Sequence, residues 1–303
     1  MSSTTYTTLR GKPTPAVQRG KPNYRLRAFV TEAASLVLAL LIVVWSLGPI
    51  YNMVMVALSS HDDVFSTHLW PADPSLASFW IVISEGYWYL AHFWHQFGNS
   101  FYVGIGTTFF TLLIGSLASF VIGRMRIHGG WVITNLALVT YVIPASFVAI
   151  PFYRIMQLYG WSNNLWAVIA AYVVFGVPYA IIVFSQYSVS IPIELDESAR
   201  IDGATPWQVY FRIYLPMMAP ALVAVGMFAL LLAWNDYLYQ FLLLSAQRNM
   251  TVAVTLAQFL NSDEAPWNYM MATAIFYSVP PVVAYYALRR YMTAGLTMGG
   301  VKG

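Results

Sequence analysis

The groups able to do chemistry in this sequence are few, and most of them lie outside its apolar stretches. Asp236 is the clear exception, placed in Trp234-Asn235-Asp236 at the far end of an apolar run that begins near Ala219. A carboxylate at the centre of a membrane helix costs about 2.5–3.5 kcal/mol, so it faces protein, water or a polar solute rather than lipid. Counting ~1.5 Å per residue from Ala219 puts Asp236 roughly 25 Å along the run. The chemistry open to it is recognition: hydrogen bonding to a passing solute, with Asn235, Tyr141 and Tyr172 as candidate companions, or a bond between helices or at the headgroup level. His92 and His95 lie three apart but have no third ligand nearby, so they point to an interfacial role and not to a metal. Arg154 can snorkel from the end of its apolar run. No phosphate-binding Gly-x-x-x-x-Gly-Lys-Ser/Thr is present, nor Gly-x-Ser-x-Gly, nor His-Glu-x-x-His, so no catalytic residue and no metal is assigned. The chain has no cysteine, which removes disulfides and thiolate chemistry.

The elements that must hold these groups follow from composition. Of 303 residues, 59% are apolar and only 9% charged, and the mean hydropathy is +0.61. A soluble core of that composition would leave too little polar surface, so the solvent is lipid. The expected fold is all-α, with six transmembrane helices at about 33–58, 100–122, 131–158, 167–189, 219–244 and 270–288, each near the ~20 residues needed to cross hydrocarbon. Pro144, Pro151 and Pro178 fall within the third and fourth of these and free backbone carbonyls there, either to shape packing or to line a polar path. Residues 1–30 read as a flexible basic arm, 31–291 as the membrane domain and 292–303 as a Gly-rich tail.

The net charge of +3 does not mark a nucleic-acid binder, because the basic residues are not gathered into a stripe. They mark topology instead. With the N-terminus inside, thirteen Lys and Arg fall on the inner side, from Arg10 to Lys302, and only Arg154 and Arg248 fall near the outer ends. Basic loops stay cytoplasmic, so both termini are expected inside. The loop from Ser59 to Gly98 then faces outward. It has no Lys or Arg and is dense in Phe79, Trp80, Tyr87, Trp88, Tyr89, Phe93, Trp94 and Phe97, which suits either an interfacial aromatic belt or a contact surface for an external partner.

The inner segment 190–217 carries its own start and stop signals. Ser190 can cap and Pro192 suits a first turn. Glu194, Asp196 and Glu197 favour the positive end of a helix dipole, Arg200 lies late, and Gly203 offers the left-handed stop, so a short helix should end near Asp202. Thr205 with Gln208 three residues on forms a capping box, and Pro206 occupies the first helical position of a second helix that Pro216 should close. The two helices would make a bent projection with Ala199, Gly203 and Ala204 at its elbow, small enough to enter a groove.

Glu197-Ser198-Ala199, three residues, Gly203, nine residues, then Ile213-Tyr214-Leu215-Pro216 resembles the EAA loop of binding-protein-dependent ABC importer permeases. Ser198 replaces the usual first alanine, a small-for-small exchange. Leu69-Trp70-Pro71-Ala72, Asn99-Ser100, Trp234-Asn235-Asp236 and the tail Gly295–Gly303 extend the resemblance over nearly the whole chain, with the smaller permease of carbohydrate importers of the maltose and glycerol-phosphate type as the nearest pattern. This resemblance implies a type I importer permease in the bacterial inner membrane. It implies a second permease, two ATP-binding subunits that carry the ATP and Mg, and an extracytoplasmic solute-binding protein as partners, with no cofactor on this chain. The ATPase-docking residues it implies are Glu194, Glu197, Ser198, Ala199, Asp202, Gly203 and Ala204. A permease for a non-carbohydrate solute is the first alternative; a stand-alone secondary transporter or an intramembrane enzyme lacks the internal repeats or paired catalytic groups expected of it.

Overall fold

In a computed structural model, residues 24–65, 68–125, 127–261 and 265–298 are described. The elements in order are α1 (Tyr24–Leu58), α2 (Ala77–Ile83), α3 (Phe93–Arg124), α4 (Gly130–Thr140), α5 (Ala145–Leu158), α6 (Leu165–Ser188), α7 (Glu194–Ile201), α8 (Pro206–Val209), a π-helical turn at Tyr210–Tyr214, α9 (Leu215–Met217), α10 (Ala219–Asn235), α11 (Leu238–Leu243), α12 (Val252–Gln258) and α13 (Trp267–Met298). Among the described residues, four helices are long and apolar enough to span a membrane, and two bent pairs bring the number of spans to as many as six. The fold is all-α, as expected.

The N-terminal unit, which ends at Tyr51, holds most of α1. Helix begins at Tyr24, just beyond Pro22, so residues 24–30 are helical rather than part of a flexible arm; the remainder of that arm, residues 1–23, lies outside the described residues. From Asn52 onward the chain forms one larger unit.

Within that unit α3 and α6 pack along one another, and α10 lies against both. Small residues permit this closeness, as expected where lipid supplies no hydrophobic drive between helices. A methyl group added at Gly115 would stand 2.4 Å from the Ala180 Cβ, and one at Gly176 would stand 2.7 Å from the Thr111 hydroxyl. Three apolar clusters fill the unit in turn. One gathers Leu90, Phe93, Trp234, Phe259 and Tyr277, a second Val103, Tyr172, Ala233 and Tyr239, and a third Phe120, Phe184, Val209, Tyr210, Tyr214 and Met218.

Two of the expected spans are not single helices. The third breaks between α4 and α5, which meet at 100°. Pro144, extended at φ −59° and ψ 132°, is the cause, since it lacks an N–H and biases the residue before it away from helix. Pro151 and Pro178, by contrast, lie inside continuous helices. The fifth expected span ends at Asn235, and α11 follows separately after the extended residue Asp236. Asp236 is therefore not at a helix centre. At the C-terminus α13 continues to Met298, so the backbone of residues 292–298 is helical, and the rest of the Gly-rich tail lies outside the described residues.

Much of the aromatic loop is neither belt nor contact surface but part of the core. Tyr89 and Phe93 are buried, and Phe79, Tyr87 and Phe97 pack against their cluster. Trp80 and Trp88 remain exposed. Asn99 donates to the carbonyls of Arg248 and Met250, both at 2.9 Å, and Gln247 donates to the Trp88 carbonyl at 3.0 Å. The first loop and the segment before α12 thus meet at one end of the bundle.

Candidate functional site

Two places collect the polar residues singled out above. At one, α7 and α8 form an elbow. The capping box at Thr205 is present, with the Thr205 N–H donating to Gln208 Oε1 at 2.7 Å and the Gln208 N–H donating to Thr205 Oγ1 at 3.4 Å. Gly203 has φ +83°, the left-handed conformation that glycine adopts without a Cβ penalty. No neighbouring atom lies within 4 Å of where its Cβ would stand, so backbone conformation, not crowding within this chain, requires glycine.

Ser190 does not cap α7. Its hydroxyl donates back to the Tyr187 carbonyl at 2.7 Å, completing the turn that ends α6, and Ile193 is the N-cap. Nor does Pro216 end the second helix. Continued through the π-helical turn, that helix reaches Met217 before a 77° bend leads into α10. Proline near the start of α9 costs no bond there, because the preceding π turn already shifts the hydrogen-bond register.

Glu194, Glu197, Ser198, Asp202 and Gly203 are exposed along this elbow, and Ala199 and Ala204 are half-buried against the third cluster. Leu195, Ile201, Trp207 and Phe211 are also exposed, an apolar set beside the carboxylates that reading by charge passed over. Beneath them Arg124, the last residue of α3, forms an ion pair with Asp196 at 2.7 Å, both side chains almost fully buried. Tyr210 shares a hydrogen bond with Ser116 at 2.8 Å, and Tyr214 shares one with Ser119 at 3.0 Å. In the sequence Arg124 only adds to the inner basic bias and Asp196 to the acidic first turn of α7; their pairing across 72 residues has no local signal.

The second place is a cavity of about 240 Å³ lined by Thr140, Tyr141, Ile143, Pro144, Ala145, Tyr172, Phe175, Phe228, Leu232, Asp236 and Tyr239. The Tyr172 hydroxyl donates to Asp236 Oδ2 at 2.7 Å, and the Tyr239 N–H donates to the same oxygen at 3.1 Å. Tyr239 donates its hydroxyl to the Ala145 carbonyl at 2.6 Å, bonding α11 to the start of α5. Tyr141 donates to the Phe175 carbonyl at 3.3 Å. Three of the four expected residues, Tyr141, Tyr172 and Asp236, therefore meet; Asn235 points away, exposed and outside the lining. Tyr239 and Phe175 were missed, because aromatic residues in apolar runs look alike until the helix breaks at Asp236 and Pro144 turn particular ones inward.

Residues 111–297 match the family described as binding-protein-dependent transport system inner membrane component. That span covers the C-terminal part of α3, all of α6, the elbow and the cavity. This chain is a permease of that family. The permease is 31% identical over 233 residues to the arabinooligosaccharides transport system permease protein AraQ of Halalkalibacterium halodurans, covering 77% of this chain and 81% of that protein. It is 31% identical over 207 residues to the trehalose transport system permease protein SugB of Mycobacterium tuberculosis, covering 68% and 76% respectively. Among solved structures, the permease superposes with TM-score 0.77 on a chain of a bacterial ABC transporter involved in the import of the acidic polysaccharide alginate, at 21% identity over 89% of this chain and 99% of that chain. The permease thus has the type I importer architecture expected of it.

Proposed function

We propose that the permease forms half of the translocation path of an ATP-driven importer for a neutral sugar, oligosaccharide or polyol in the bacterial inner membrane. A second permease would complete the path, two ATP-binding subunits would supply the energy and hold ATP and Mg, and an extracytoplasmic binding protein would deliver the solute. The relatives named for arabinooligosaccharides and trehalose support the carbohydrate class. The single observation that carries the transport reading is the elbow of α7 and α8, with its exposed carboxylates and small residues at the end of the bundle opposite the aromatic loop.

In this mechanism the elbow seats in a cleft on an ATP-binding subunit. Glu194, Glu197 and Asp202 offer charge, Ser198, Ala199, Gly203 and Ala204 allow close approach, and the exposed Trp207 and Phe211 add apolar contact. ATP-driven closure of the motor subunits would move the elbow and rock the bundle between outward-open and inward-open states. The basic-residue bias supports a cytoplasmic position for this end and for both termini.

Solute contact is assigned to the cavity around Asp236. Its rings offer apolar faces to the C–H faces of a sugar, and Asp236 and Tyr172 offer an acceptor and a hydroxyl to its O–H groups. A neutral solute is favoured over an anionic one because the lining holds a carboxylate and no Lys or Arg. The test is uptake in proteoliposomes holding all the subunits, with neutral and acidic oligosaccharides compared. ATP-dependent uptake of neutral ones supports the reading; uptake of acidic ones alone, or of none with ATP hydrolysis intact, overturns the assignment of solute class.

A further inference from the structure

Arg124 uses four of the five N–H donors of its guanidinium, and all four bonds hold the entry to α7. Nε donates to Asp196 Oδ2 at 2.7 Å and Nη2 to Asp196 Oδ1 at 3.1 Å. Nη1 donates to the Ile191 carbonyl at 2.9 Å, and Nη2 also to the Pro192 carbonyl at 3.1 Å. The side chains are 4% and 1% exposed. A buried pair of this kind contributes little net stability over an apolar replacement, because desolvation offsets the attraction. What it supplies is a fixed geometry, since a bidentate guanidinium–carboxylate contact defines both distance and orientation.

The other arm of the elbow reaches the same helix. Tyr210 and Tyr214, in the π-helical turn beyond α8, bond to Ser116 and Ser119 of α3. Three attachments thus fall on α3 between Ser116 and Arg124, a stretch of about 12 Å at ~1.5 Å per residue. From there α3 packs directly on α6 through Gly115 and Gly176.

We infer that Arg124 is a positioning residue for energy coupling: through Asp196 it makes the end of α3 move with α7, so that displacement of the elbow is delivered to the α3–α6 pair. Arg124 touches neither solute nor nucleotide. Ser119 and Tyr214 hold the second arm, so loss of the ion pair leaves the elbow attached but free to swing about one side. ATP hydrolysis then continues while the bundle responds poorly. This inference rests on the reading of the chain as an importer permease.

Because the chain has no cysteine, thiols can replace the pair cleanly in the complete importer, with its other subunits made cysteine-free. In proteoliposomes, the double variant R124C/D196C, which leaves neither charge buried without its partner, is expected to keep its ATP-binding subunits and their ATP hydrolysis, yet import about tenfold less solute per ATP. In the double variant, a short bis-methanethiosulfonate bridge should restore the ratio to about twofold of the parent, and dithiothreitol should abolish the recovery. The conservative variants R124K and D196N should assemble fully and fall between.

A bridged pair that stays uncoupled would overturn the inference, as would an unbridged double variant with the parent ratio. Failure of R124K and D196N to assemble would also overturn it, since the pair would then be needed to fold the subunit. Absence of ATP-driven uptake by the parent complex would instead count against the importer reading itself, so the two failures are distinguishable.

Discussion

The Tyr172 hydroxyl, on α6, donates to Asp236 Oδ2 at 2.7 Å at the point where α10 ends. A hydrogen bond to a charged acceptor contributes about 1.5–3 kcal/mol, so this bond fixes the carboxylate facing the cavity. Tyr172→Phe should leave Asp236 with only the Tyr239 N–H and raise the KM for uptake at least about tenfold with basal ATP hydrolysis unchanged, as a lost bond of about 1.5 kcal/mol would do. Asp236→Asn should act in the same direction and more strongly. Uptake kinetics in proteoliposomes check both; an unchanged KM in the two variants would remove this cavity from the solute path.

Gly203 separates conformational from steric demands. A residue with a Cβ in the left-handed region pays about 1–2 kcal/mol, and asparagine pays less than alanine or valine there. Nothing in this chain crowds the position. Gly203→Asn should therefore leave the detergent-solubilised subunit nearly as stable as the parent, and Gly203→Val should destabilise it modestly. Co-purification of ATP-binding subunits should be lost with valine and weakened even with asparagine, because under the proposed docking the crowding comes from the partner subunit. Full retention of those subunits by the valine variant would place the docking contact elsewhere.

At Gly115 the demand is steric. A methyl group at 2.4 Å from the Ala180 Cβ must push α3 from α6, and overpacking of this kind costs about 1–3 kcal/mol. Gly115→Ala should lower the thermal unfolding temperature in detergent by several degrees, about what a loss of that size produces in a domain of this length. Pairing it with Ala180→Gly should recover most of the loss.

Asn99 ties the N-terminal part of α3 to the segment before α12 through two carbonyls. Asn99→Ala leaves both acceptors short of a partner, each at about 1–3 kcal/mol if buried. Limited proteolysis should then cut near residues 245–251 at a higher rate than in the parent, with the rest of the fragment pattern unchanged.

Orientation is testable by single thiols. Asp73 and Glu197 are both exposed. An impermeant maleimide added to intact spheroplasts should label Asp73→Cys and reach Glu197→Cys only after permeabilisation. The reverse pattern would invert the assigned topology.

Several features were written locally and could be read without a fold. Composition and run length announced an all-α membrane protein, because every backbone polar group in lipid must be satisfied within a helix. The elbow was legible because caps act over three or four residues: Thr205, Pro206, Gln208 and Gly203 each state their conformation in the sequence. Proline and glycine mark breaks, yet Pro144 interrupts its span while Pro151 and Pro178 do not, since neighbouring packing decides whether a helix continues past a lost bond.

Tertiary structure alone decided which distant groups meet. Arg124 and Asp196 are 72 residues apart, and Tyr172 and Asp236 are 64 apart; no periodicity links either pair. Each contact exists because α3 and α6 approach closely enough through Gly115 and Gly176 to bring the ends of other helices into reach. The sequence by itself determined the helices, the elbow and the residues with charge to offer. The packing determined that one arginine would be buried as a link and one aspartate would face a cavity, because burial and orientation depend on what lies across a helix interface and not on what lies beside a residue in the chain.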